Sequence, residues 1–187
     1  MSTPQPPRKT RTDAERNRDR VLEAARALFA EFGHEVQMAE VARAAGVGIG
    51  TLYRKFPTRE ELVAAIAEQR SADLVAAARP HLAAADPAQG LAGFLRHVGE
   101  TLAGDRGMSE VIEKSMGSTE PQGETREALL AVVAELTGRA RDGGAVGRDV
   151  TTEDVNMVVC GLAAVIRNAA GDWRRYVEVA LDGLRPR

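Results

Sequence analysis

Apolar residues recur every three to four positions from Val21 onward: Val21, Leu22, Ala25, Leu28, Phe29 and Phe32 share one helical face until Gly33 interrupts them. That spacing predicts a first helix. Ahead of it, Thr12 and Glu15 have the spacing of a reciprocal capping box. A second, short helix is predicted over residues 38–45, with Met38, Val41, Ala42 and Ala45 on one face and Gly46 ending it in a left-handed turn. A third spans residues 48–55, turning Leu52 and Phe56 inward before Pro57 closes it. Two short helices that meet at Gly46, with small Ala42 four residues before it, have the sequence form of a helix-turn-helix.

Thr58 and Glu61 form another capping box and open a long fourth helix through Leu62, Ile66 and Leu74, ending near Pro80. Further helices are predicted at about residues 87–103, 107–114, 125–142, 152–170 and 172–184, separated by Gly and Pro. No alternating pattern of strand type is found. The expected fold is therefore all-α. A disordered arm at 1–11 precedes a three-helix DNA-binding unit at 12–57, and a connecting helix at 58–79 opens a helical region that runs to 187. In that region Val155, Val158, Val159, Leu162, Val165 and Ile166 cover far more than one face of their helix. A helix apolar nearly all round is buried on two sides. With Trp173, Val177 and Leu181 on the last helix, these residues propose a four-helix homodimer interface made by Val155, Val158, Val159, Leu162, Ile166, Trp173, Val177 and Leu181.

Charge sharpens this division. The formal net charge of the 187 residues is only -2, yet the first 58 residues carry a basic excess and the remainder an acidic one. Such asymmetry suggests a nucleic-acid-facing front. Cys160 is the single cysteine, which excludes an intramolecular disulfide and fits a cytoplasmic protein. No apolar leader or membrane-length run appears, so no membrane partner is expected.

The stretch "AGVGIGTLYRKF" places Gly46, Gly48 and Gly50 at alternate positions. A phosphate-binding reading fails twice. The spacing matches neither the dinucleotide nor the nucleoside-triphosphate loop, and a helix rather than a strand precedes it. Catalysis also lacks a constellation: His34, His81 and His97 have no metal-ligand spacing, and Cys160 has no evident base. Neither a cofactor nor a metal is expected.

The segment "VARAAGVGIGTLYRKFPTREEL", Val41 to Leu62, closely resembles the DNA-binding segment of the tetracycline-repressor (TetR) family of bacterial regulators. The resemblance covers roughly the first 65 to 70 residues, and it implies a dimeric, all-helical regulator that releases DNA when a small molecule enters its C-terminal domain. By resemblance, Ile49 and Gly50 face bases, Thr51 and Tyr53 hold the DNA backbone, and Lys55 grips a phosphate. Gly48 permits close approach, and Arg54 completes the exposed set. Each residue has a plainer reading. Tyr53 can pack on the first helix, Arg54 and Lys55 can form a solvated face, and Thr51 can satisfy a local backbone group. One departure stands out: the family usually has Ser or Thr at the cap of the second helix, where this chain has Gln37, a poor cap that puts one phosphate contact in doubt.

The expected partner is a two-fold symmetric double-stranded DNA operator, with two heads in successive major grooves. Arg8, Lys9 and Arg11 of the arm either enter a minor groove or form a solubilising tail. Few aromatic residues follow residue 60, so an effector pocket is expected to have aliphatic walls and to take a small apolar molecule, with Phe94, His97, Met108, Met116 and Arg167 as its candidate lining. Cys160, set among valines, is expected to be buried packing. The rival reading is a helix-turn-helix protein controlled by a protein partner, or by no effector.

Overall fold

A computed structural model describes the backbone of residues 11–117 and 123–186, with side chains from Glu15 onward. The expected arm at residues 1–10 and the Thr12 cap lie outside the described residues and side chains. Arg11 already belongs to the first helix.

The chain folds as α1 (Arg11–Phe32), α2 (Met38–Ala44), α3 (Ile49–Lys55), α4 (Arg59–Ala77), α5 (Arg79–Leu82), α6 (Pro87–Gly104), α7 (Arg106–Met116), α8 (Gly123–Asp142), α9 (Thr152–Arg167) and α10 (Trp173–Gly183), with no strand among the described residues. Gly33 and Gly46 both take φ +63° and stop α1 and α2 as their positions require. Thr58 starts α4 by accepting the Glu61 N–H at 3.1 Å. Thr151 likewise accepts the Asp154 N–H, while the Asp154 carboxylate accepts the Thr151 N–H at 2.8 Å. Hydrogen bonding to Thr151 holds the Asp154 carboxyl below its ordinary value.

Three boundaries differ from the sequence reading. A short 3₁₀ turn, Gly33–Glu35, lies between α1 and α2. Pro80 does not close α4; it sits in the first turn of α5, where its missing N–H costs nothing. Helix α9 stops at Arg167, because Ala169 adopts φ +49° and turns the chain toward α10.

Two cores form. The first gathers Phe29, Val41, Leu52, Phe56, Leu62 and Ile66 of α1 to α4 and their connections, and it also receives Met108, Val111 and Ile112 from α7. The second gathers Leu74, Phe94, Leu95, Leu136, Leu162 and Trp173, among others. Helix α4 runs through both, with Leu62 and Ile66 in one and Leu74 in the other. Helix α7 is the second physical link, and its start lies hard against α1: a Cβ at Gly107 would stand 2.5 Å from the Ala30 carbonyl oxygen. Arg26 of α1 adds a polar tie, donating from Nε to the Asp105 carboxylate at 3.1 Å and lying 3.6 Å from Asp73 of α4.

Candidate nucleic-acid interface and effector cavity

Helix α3 is seated by Leu52, which is fully buried, and by Phe56 just beyond its end. The opposite face points outward. Ile49 is 44% exposed and Tyr53 47%, while Gly48, Gly50, Arg54 and Lys55 are also exposed. Tyr53 is therefore about half-exposed and not buried in the core. The helix ends with two cations and contains no carboxylate. Arg54 donates to the Thr51 hydroxyl at 3.0 Å, so Thr51 serves as an anchor for that guanidinium.

The glycines add a separate clue. A Cβ at Gly50 would meet nothing within 4 Å, and at Gly48 only the Thr51 hydroxyl at 3.9 Å. Neither has the positive backbone angle that the fold demands at Gly46. Their smallness leaves the surface open to a close external approach instead.

The turn between α2 and α3 is fastened from α1. Arg20 donates to the carbonyls of Ala45 and Gly46 at the end of α2, which satisfies groups a helix end leaves unpaired. Arg59 does similar work for the 3₁₀ turn, donating to the Val36 and His34 carbonyls while its guanidinium stacks 4.7 Å from the Phe29 ring. Gln37 is less deficient than expected. Glu40 reaches back and accepts the Gln37 N–H at 2.8 Å, and the Gln37 amide donates to Glu35. The helix start is thus held by the carboxylate, and the Gln37 side chain points its donor at its own chain.

The described residues of the C-terminal half line a partly open cavity of about 310 Å³ between α4, α6, α7, α8 and α9. Leu74, Phe94, Val98, Ile112, Leu129 and Val133 form apolar wall, and no methionine takes part. Of the expected lining residues, Phe94 and Arg167 are in the wall. Arg167 also pairs with Glu113, itself in the wall, at 3.1 Å. The other three lie elsewhere for physical reasons. Met108 is consumed by the core under α3, Met116 is exposed at the end of α7, and His97 faces His81 of α5 with ring centroids 6.0 Å apart.

Cys160 also departs from expectation, being exposed and part of the cavity wall rather than buried packing. Sequence reading missed Arg70, Ser109, Arg106 and Arg126, which all contribute to the wall. Arg70 had a signal: it interrupts the apolar stripe Ile66, Arg70, Leu74 at helical spacing, where a cation does not belong without a task.

The expected dimer strip is mostly used within the chain. Val155, Leu162, Ile166, Trp173 and Val177 are buried in its second core, and Val158, Val159 and Leu181 pack partly against it. Helices α9 and α10 approach so closely that a Cβ at Gly161 would lie 2.1 Å from the Tyr176 hydroxyl. Met157 and Val179 remain exposed on these helices.

The His81–His97 pair has a consequence for stability. Desolvation first, and the neighbouring His97 second, hold the His81 imidazole below its ordinary value. A lowered base favours the neutral form in the folded protein. Its stabilisation is complete above the ordinary imidazole range and is lost as pH falls through the lowered folded value. Melting curves from about pH 8 to about pH 5 should show Tm falling on the acid side, and less steeply in His81→Gln. Equal slopes would assign the acid sensitivity to other groups.

No cluster of three potential metal ligands occurs among the described residues, and none of their helices is long and apolar enough to cross a membrane. Residues 21–66 match the sequence family described as bacterial regulatory proteins, tetR family, and residues 86–186 match the SbtR-like transcriptional regulator C-terminal domain. A TetR transcription regulatory protein from Mycobacterium vanbaalenii has 38% identity and a TM-score of 0.71 over 94% of this chain and 98% of that one. RolR, solved in complex with the ligand resorcinol, has 25% identity and a TM-score of 0.68 over 95% of this chain and 92% of RolR. An HTH-type transcriptional regulator of Staphylococcus aureus is 45% identical over 53 residues, 28% of this chain and 29% of that protein. The match thus spans less than a third of the length of such curated relatives.

Proposed function

As the chain belongs to the TetR family of helix-turn-helix transcriptional regulators, we propose that it is a cytoplasmic, homodimeric repressor released from a two-fold symmetric operator by a small-molecule effector. The observation that carries the DNA-binding part is α3 itself. Its outer face offers Ile49, Tyr53, Arg54 and Lys55 with no opposing carboxylate, above a buried Leu52. A recognition helix of this kind enters the major groove, with cations on phosphates and an uncharged side chain against base edges. Ile49 and Gly50 read bases, Tyr53 and Lys55 hold the backbone, and Thr51 orients Arg54.

The dimer forms through the outer faces of α9 and α10, where Met157 and Val179 are left exposed after the inner faces have filled the chain's own core. The effector occupies the cavity, with its body against the apolar wall; the resorcinol in the RolR complex supports a small-molecule ligand. Helices α4 and α7 both border the cavity and both enter the core beneath α3. A shift of these helices changes the separation of the two heads. A coupling of about 1 to 3 kcal/mol is enough to alter occupancy of the operator.

Selection from a random duplex-DNA pool, with the mass in solution measured alongside, tests the reading. Enrichment of a two-fold symmetric site by a dimer supports it; no enrichment overturns sequence-specific binding by this chain alone. With that site as probe, Lys55→Ala should weaken all sequences about equally and flatten the salt dependence by about one unit per subunit. Ile49→Ala should alter preference at particular base pairs. The reverse pattern would exchange the two roles.

A further inference from the structure

Arg70 lies on the stretch of α4 between the two cores, 6% exposed, with its side chain in the cavity wall. One terminal nitrogen, Nη1, donates to the Ser109 hydroxyl of α7 at 3.0 Å. The other, Nη2, is buried with no hydrogen-bond partner among the described residues. A guanidinium remains charged in proteins, so this is a fixed cation with a buried donor left unmet. Asp105 contributes favourable charge nearby, but its carboxylate is engaged by Arg26. Desolvation accordingly dominates and pulls Arg70 below its ordinary value.

Leaving a buried donor unmet is costly, and keeping a cation in a mainly apolar wall is costlier still. Among the described residues, Arg106, Arg126 and Arg167 also line the cavity, against the one carboxylate of Glu113. The charges of these described wall residues therefore sum to a cationic excess. We propose that the cavity binds a small monocarboxylate, whose acid group is held by the Arg70 guanidinium and whose apolar body lies along Leu74, Phe94, Val98 and Val133. This assignment rests on the reading of the cavity as the effector site and specifies its chemistry: the molecule has an acid end, not merely an apolar surface. The carboxylate supplies the acceptor that Arg70 lacks, through a charge-assisted bond. Ser109 is a positioning residue, holding the guanidinium from the α7 side.

The test uses the full-length protein and a panel of straight-chain and aromatic monocarboxylates, including octanoate and benzoate, each paired with its primary amide. Thermal shift and calorimetric titration read binding. Carboxylates should bind about ten- to a hundredfold more tightly than their amides, the range for a hydrogen bond to a charged group. Arg70→Gln should erase that difference, while Arg70→Lys should restore part of it. Because Arg70 Nη2 has no acceptor among the described residues, Arg70→Met should leave Tm unchanged or raise it.

Equal binding of acids and amides, or an acid preference that survives in Arg70→Gln, overturns the assignment. So does failure of every carboxylate to bind, or a large fall in Tm for Arg70→Met, which would make the guanidinium a structural strut. Operator release is scored separately in the same samples. Carboxylates that bind through Arg70 without releasing DNA would leave the ligand assignment standing and remove the effector role. Amides that bind as well as acids and release DNA would do the opposite.

Discussion

Leu52→Ala is expected to unseat the recognition helix and abolish binding to every DNA sequence, at a cost of about 2–5 kcal/mol in stability. The side chain is completely buried in the core with Val41 and Phe56. Truncation removes its apolar contacts and leaves a void that the short connections on either side of α3 cannot fill by shifting. Helix α3 has seven residues, far fewer than the roughly 12–15 an isolated helix needs to be stable in water. Without its packing it has little reason to persist. Denaturant unfolding together with binding to specific and non-specific duplexes separates this from a contact effect. Specific and non-specific binding should fall together, whereas Ile49→Ala should spare the fold. An unchanged midpoint with lost base preference would mean that Leu52, not Ile49, faces DNA.

A loss of similar size, about 2–5 kcal/mol, is expected for Met108→Ala. Sequence reading placed this residue in the effector pocket, yet it is fully buried in the core beneath the recognition helix, although it belongs to α7. The void would open where α7 meets the head, next to the close approach of Gly107 to the Ala30 carbonyl. Since α7 also borders the cavity, one helix answers to both ends of the molecule. Tm should fall steeply while affinity for a ligand in the cavity changes by less than about twofold, because Met108 is absent from its wall. The contrary result, weakened ligand binding with an unchanged Tm, would return Met108 to the pocket.

The N-terminal head was more legible than the rest. Gly33 and Gly46 mark helix ends through the left-handed backbone that each adopts, and the buried and exposed sides of α3 follow from a period of 3.6 residues. The pairing of Arg20 with the end of α2 is not legible in the sequence, since 25 residues separate the partners and no local pattern joins them. The start of α2 shows a local compensation: Gln37 is a poor cap by residue type, and the Glu40 carboxylate three residues later accepts the Gln37 N–H.

In the C-terminal half the same periodicity identified helices but not their neighbours. Val155, Leu162 and Trp173 are apolar whether they face a second copy or their own chain, and within the chain all three are buried in the second core. Met108 and Met116 are equally non-committal, because a flexible apolar side chain suits a core as well as a pocket.

Periodic apolar spacing, capping residues and glycine positions therefore specify the helices, the inward side of each, and the outward set Ile49, Tyr53, Arg54 and Lys55, because those features act within a few residues along the chain. The destination of each inward face depends on how helices far apart in sequence pack, which converts Met108 into head core and leaves Arg70 beside a cavity with a donor unmet. Hydrophobic burial is non-directional: it requires an apolar face to be covered, and long-range packing chooses what covers it.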